Sequence, residues 1–133
     1  MRRRVPAALA VTLLALGATA ADARDSKPPR ISHLHAAGGV TCPQHVTGCT
    51  SRPAVITFTL SEKATVFMEF ERASTTPGVG PELFRARQHA FKGRNTVRAF
   101  LTESGHYQLA IIAADATRNA SRPGRTHFTQ HRF

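Results

Sequence analysis

Beyond its first two dozen residues the chain shows no helical periodicity, no cysteines two residues apart and no serine set in the glycine-flanked elbow of a hydrolase. The first absence leaves strands as the building element. The second excludes a dithiol redox motif, because the only cysteines, Cys42 and Cys49, have six residues between them. The third leaves Ser61, Ser104 and Ser121 in turn contexts, with nothing to activate a nucleophile. Acidic residues are scarce as well: 8 Asp and Glu stand against 18 Lys and Arg, a formal charge of +10. The C-terminus, His131-Arg132-Phe133, carries no hydrophobic tail.

What is present begins with a leader. Arg2, Arg3 and Arg4 precede an uncharged stretch from Val5 to Ala21 rich in Ala, Leu and Val. This is the n-region and h-region of a secretory signal peptide. Ala21-Asp22-Ala23 and Ala18-Thr19-Ala20 both offer the small-residue spacing of a cleavage site, and the later cut is preferred. The apolar stretch is short and alanine-diluted compared with the roughly 20 strongly apolar residues of a spanning helix. No cysteine follows either cut, so the sequence predicts no lipid or other stable membrane anchor and a product free outside the cell or in the periplasm. The expected organisation is a signal-peptide helix over residues 1–23, a proline-bearing linker over 24–30 and one domain over 31–133.

Removing residues 1–23 leaves 110 residues with 15 basic and 7 acidic side chains, a formal +8. That length suits a single core. A basic domain is drawn to polyanions. Export argues against nucleic acid and points to anionic cell-wall polymer or another envelope protein. In the full chain 15 Arg stand against 3 Lys, which together with abundant Ala also matches the codon usage of a GC-rich genome, and the basic residues are spread along the chain.

In an oxidising compartment Cys42 and Cys49 read as a disulfide. It would close an eight-residue loop containing Pro43 and Gly48, worth about 2.5 kcal/mol by chain entropy. The alternative, a metal site helped by His45, lacks a fourth ligand placed by sequence.

From Ala54 the pattern has period two. Ile56, Phe58 and Leu60 alternate with Thr57 and Thr59; after Ser61-Glu62-Lys63, Val66, Met68 and Phe70 alternate with Thr65, Phe67, Glu69 and Glu71. Two half-buried strands so close in sequence predict a hairpin. Ser74 to Pro81 holds two prolines and two glycines and is a loop. Leu83–Phe91 reads as a less regular, arginine-rich strand, followed by a turn at Lys92-Gly93-Arg94-Asn95 and alternation from Thr96 to Leu101. Tyr107–Ala114 is apolar on both faces and belongs in the middle of a sheet. A polar turn, Asp115 to Gly124, leads to a last strand over Arg125–Arg132. With Ile31–His35 these make seven strands in about 100 residues, the expectation for an all-β, antiparallel immunoglobulin-like sandwich.

Three segments carry a resemblance: Thr57 to Val66, Gly93 to Val97, and Gly105-His106-Tyr107-Gln108-Leu109 continuing to Asp115-Ala116-Thr117-Arg118-Asn119-Ala120-Ser121. They resemble exported immunoglobulin-like or fibronectin-type-III-like repeats of actinobacteria, over Ile31 to Phe128. The resemblance implies an extracellular sandwich acting as spacer, adhesive or accessory module. It transfers no catalytic residue and no cofactor, and it marks Asp115 and Asn119 as structural turn residues. Arg118 stands where the family usually has Gly. Tyr107 is placed to form a tyrosine corner, its ring packed and its hydroxyl bonded to upstream backbone.

Other constellations are weaker. Glu69 and Glu71 share a strand face but lie on its polar side, whereas catalytic carboxylate pairs need a cleft that raises one pKa. Of the seven histidines only His33 and His35 have a ligand-like spacing, which makes a small extracytoplasmic metal-binding protein the second reading. Asn119-Ala120-Ser121 matches a glycosylation acceptor but reads more simply as turn chemistry. The sequence therefore predicts a secreted, non-enzymatic binding or structural module.

Overall fold

The computed structural model describes residues 27–43 and 46–133; the expected signal peptide and residues 24–26 of the expected linker lie outside these, as does His45. The described residues fold into eight strands and no helix: β1 (Ile31–Ala37), β2 (Val40–Thr41), β3 (Ala54–Leu60), β4 (Ala64–Arg72), β5 (Glu82–Ala90), β6 (Gly93–Ala99), β7 (Gly105–Ala114) and β8 (Gly124–Arg132). One sheet has the order β1-β3-β6 and the other β2-β8-β7-β4-β5. The architecture is all-β with two sheets, consistent with a β-sandwich.

The core follows from the period-two alternation. Ile56, Phe58 and Leu60 of β3 are buried, as are Val66, Met68 and Phe70 of β4 and Tyr107, Leu109, Ile111 and Ala113 of β7. With Val97 and Phe128 they form one cluster drawn from both sheets. Each large aliphatic or aromatic side chain so buried stabilises the fold by about 1.5–3 kcal/mol. The Tyr107 ring stacks on Phe128 with centroids 5.2 Å apart. Before β1, Pro29 is already buried, and Arg30 N donates to Ser61 Oγ at 2.8 Å.

Four expectations are corrected. The predicted β3–β4 hairpin does not form: β3 pairs with β1 and β6, whereas β4 pairs with β5 and β7. Alternation told which residues face the core but not which strand lies beside which, and both apolar faces reach the same core from opposite sheets. The strand count is eight because β2, only two residues long, is too short to show a period. It runs parallel to β8, Val40 opposite His131 and Thr41 opposite Arg132, so the fold is not wholly antiparallel. Finally, the predicted turn at Lys92–Asn95 is shorter, since β6 begins at Gly93. β7 does sit inside its sheet, between β8 and β4.

The chain changes sheets between β1 and β2 through Gly38 and Gly39. A Cβ on Gly38 would lie 1.6 Å from the Thr129 carbonyl oxygen, and one on Gly39 would lie 2.1 Å from that of Arg52. Only hydrogen fits at either position. Gln130, fully buried, holds the crossing: Gly39 N donates to its Oε1 at 2.7 Å, and its Nε2 donates to Thr41 Oγ1 at 3.1 Å and Arg52 O at 3.2 Å. Val40 and Arg52 exchange backbone hydrogen bonds beneath the Cys42–Cys49 disulfide.

The β7–β8 connection is organised by Asp115. Its Oδ1 accepts from Thr117 N at 3.0 Å, Thr117 Oγ1 at 2.8 Å and Asn119 N at 2.9 Å, an Asx-type turn. Partial burial pushes the Asp115 carboxyl up, but these donors outweigh it and hold its pKa below the ordinary value. Arg118 sits at φ 68°, in the left-handed region that glycine enters without strain. Ser121 then closes β7: its Oγ accepts from Ala113 N at 2.9 Å, and its N donates to Ala113 O at 2.7 Å.

Gly38→Ala is expected to lower unfolding stability by more than about 3 kcal/mol in urea titration, because backbone must move to admit the methyl group. An unchanged midpoint would mean that the crossing is not tight. Arg118→Gly is expected to stabilise by about 0.5 kcal/mol, the left-handed strain relieved less the backbone entropy of glycine. The lowered folded-state pKa of Asp115 adds stability above the unfolded value near 3.9, and that contribution fades as pH falls through the folded value. Thermal midpoints of the protein and Asp115→Asn are therefore expected to converge below about pH 4 and to separate above it.

Candidate functional site

The residues singled out from sequence are distributed over the fold. Cys42 and Cys49 are disulfide-bonded, with Cα atoms 5.9 Å apart, in the β2–β3 connection. Tyr107 opens β7, while Asp115 and Asn119 follow its other end. The Tyr107 hydroxyl donates to Glu103 O at 2.7 Å, and burial pushes its pKa up against the opposing charge of Arg72. These residues serve the fold and do not converge on a common cleft.

His33 and His35 lie on β1, where pairing to β3 slips between Ser32 and His35. His33 is the residue with φ 54° in this bulge. An extra residue on one strand breaks simple alternation, so the spacing of two does not by itself fix which face each imidazole takes. Among the described residues no group of three or more His, Cys, Asp or Glu side chains could hold a metal ion. Glu69 is engaged by Arg85, whose Nε donates to Glu69 Oε2 at 2.9 Å. Glu71 pairs across the ladder with Leu83 and Gln108.

The feature that sequence reading missed is the outer face of the five-stranded sheet. The register lines up His89, Thr65 and Ala114 in one row, Arg87, Phe67 and Ile112 in the next, and Arg85, Glu69, Ala110 and Arg125 in a third. Phe67 is 43% exposed at the centre. A groove of about 440 Å³ runs over this floor, lined by Phe67, Ala110, Ile112 and Pro123 with Arg85, Arg87 and Arg125 around them. A second hollow of about 560 Å³ shares Phe67 and Arg87 with it and extends to His89 and Arg118. Arg85 is balanced by Glu69; Arg87 and Arg125 have no ion pair among the described residues.

Chemically, the arrangement is a set of guanidinium groups around an apolar floor. Guanidinium binds carboxylate or phosphate with two parallel hydrogen bonds. Next to apolar surface, such bonds are less diluted by water than on an open polar surface. The signal was present in the sequence as Phe67 on an otherwise polar strand face and as the arginine-rich strand after it. These residues form a site only because β4 pairs with β5 instead of β3.

No helix among the described residues is long and apolar enough to cross a membrane. No family model matches the chain, and no curated protein matches it. A solved structure that it resembles is described as the crystal structure of a family 76 glycoside hydrolase from a bovine Bacteroides thetaiotaomicron strain. The identity is 12% and the TM-score 0.49, over 79% of this chain and 21% of that chain. The chain thus spans about a fifth of the length of the protein it matches. This neighbour overturns the expectation of a non-enzymatic chain; at that similarity it carries no argument about substrate or mechanism.

Proposed function

We propose that the protein is an exported, immunoglobulin-like sandwich that contacts anionic cell-envelope polymers through the outer face of its five-stranded sheet. The observation that carries this reading is the groove over Phe67 and Ile112, edged by Arg85, Arg87 and Arg125. An anionic polymer with apolar ring or backbone faces can rest on Phe67 and present carboxylate or phosphate groups to Arg87 and Arg125. Repeated anionic groups along a polymer add avidity to contacts that are individually modest. The basic balance of residues 24–133, a formal +8, favours encounter with such a partner.

The finer fold assignment is supported by strand order. β3 lies beside β6 in one sheet, and β7 lies between β4 and β8 in the other. These are the neighbour relations of the B and E strands and of the C, F and G strands in immunoglobulin-like domains. Export is supported by the Arg2–Arg4 and Val5–Ala21 pattern and by the disulfide.

Sedimentation with purified cell wall at graded salt tests the proposal. Binding is expected to weaken as ionic strength rises. Arg87→Ala with Arg125→Ala is expected to weaken it by about tenfold, the order of two partly desolvated charge-assisted bonds. Arg94→Ala with Arg98→Ala, on the other sheet, should change it little. Salt-insensitive binding, no binding, or equal losses from the two double variants would overturn the assignment.

A further inference from the structure

The four sheet edges differ in how open they are to another strand. β1 is interrupted by its bulge and β2 has two residues. β6 is unbroken over seven residues, but its exposed positions, Arg94, Thr96 and Arg98, include no apolar side chain, whereas β5 exposes Leu83 and Phe84 beside its arginines. β5 is nine residues long, pairs with β4 without a register shift from Glu82 to Ala90, and contains no proline or glycine. Its other side has no ladder partner among the described residues. Short, bulged or proline-bearing edges resist strand addition, and β5 has none of these protections.

The faces of β5 are also uncovered. Every residue from Glu82 to His89 is exposed, because the five-stranded sheet overhangs the three-stranded one. On the core side Phe84 stays 37% exposed, although its ring approaches Tyr107 to 6.5 Å between centroids. On the outer side Arg85 and Arg87 stand two residues apart. A second copy of the chain paired antiparallel over all nine residues would set Arg85 against the partner's Arg87 and Arg87 against the partner's Arg85. Like charges directly opposite one another destabilise a strand pair. The edge is thus open to strands, and in this register like charge disfavours its own copy.

We propose that β5 is a docking edge for an extended acidic peptide segment of another protein, which adds as a further strand. Acidic side chains at alternate positions of that segment face Arg85 and Arg87. The intervening apolar side chains turn to the core side and cover Phe84 and Ala86. The sign then alternates across the sheet, from Glu69 on β4 to Arg85 on β5 to the acid of the added strand. Main-chain hydrogen bonds supply affinity and the alternate side chains supply choice of partner. The proposal is independent of polymer binding on the outer face, for it needs the free ladder as well as the arginines.

A nine-residue peptide alternating Glu and Val tests it. The purified protein with this peptide is expected to show amide hydrogen exchange slowed tenfold or more at alternate residues of β5. N-methylation of the peptide at one set of alternate residues should abolish binding, and at the other set leave it nearly intact, since only one side of an added strand faces β5. Replacing Glu by Lys should abolish binding, and Arg85→Ala with Arg87→Ala should weaken it by about tenfold, whereas Arg125→Ala should not. Three results would overturn the proposal: equal tolerance of both N-methylation patterns, the same β5 protection from polyphosphate, or protection arising with rising protein concentration alone. The second would assign the arginines to polymer binding and the third would make β5 a self-association edge.

Discussion

The fold depends on one tight passage, where the chain leaves the three-stranded sheet at Ala37 and joins the five-stranded sheet at Val40. Gly38 and Gly39 pass between the carbonyls of Thr129 and Arg52 at distances that exclude any side chain. Backbone polar groups in such a place are shielded from water and need partners. Gln130 supplies them, accepting from Gly39 N and donating to Thr41 and Arg52. A buried amide left without partners would cost about 1–3 kcal/mol, so glycine pair and glutamine require one another. The same crossing lets β2 bind β8, through His131 N to Gly39 O and Phe133 N to Thr41 O. The disulfide then closes the loop that must return to Arg52.

That passage also sets the proportions that matter for function. Sending β2 to join β8 leaves three strands to cover a sheet of five. The covered part holds the buried cluster around Ile56, Phe58 and Tyr107. The uncovered part is β5, with the outer row of Phe67 and its arginines beside it. Neither open surface needs a distortion of the sandwich; both follow from unequal sheet widths.

Faces were legible in the sequence and neighbours were not. Alternation in β3, β4 and β7 named the buried side chains because a half-buried strand must place apolar groups every second residue. The same alternation is blind to pairing, since Ile56-Phe58-Leu60 and Val66-Met68-Phe70 bury equally well as a hairpin or across two sheets. The three residues Ser61 to Lys63 suffice for either course. β5 gave an indistinct pattern because it is exposed on both faces, and that indistinctness was the trace of its overhang. The candidate groove stayed hidden for the same reason: Phe67, Arg87, Ile112 and Arg125 come from four strands and meet only through register. The bulge at His33 left no mark in composition, although it interrupts the alternation from which a shared face for His33 and His35 was read.

The arginines resolve a conflict between staying apart and binding. A long, unbroken, exposed edge with Phe84 and Leu83 upon it is the kind of surface that promotes aggregation. Charge of one sign at Arg85 and Arg87 opposes pairing with an identical copy but not with an acidic strand. The same charges beside Phe67 oppose stacking of two outer faces while favouring an anion laid between them. Neutral substitutes such as Thr would prevent neither self-pairing nor indiscriminate pairing, and acids would repel the partners that a basic chain draws in. One placement of like charge therefore separates self from partner on two adjoining surfaces, and this follows from register alone: pairing β4 with β5 puts Arg85 beside Glu69 and leaves Arg87 beside Phe67 with no acid to neutralise it.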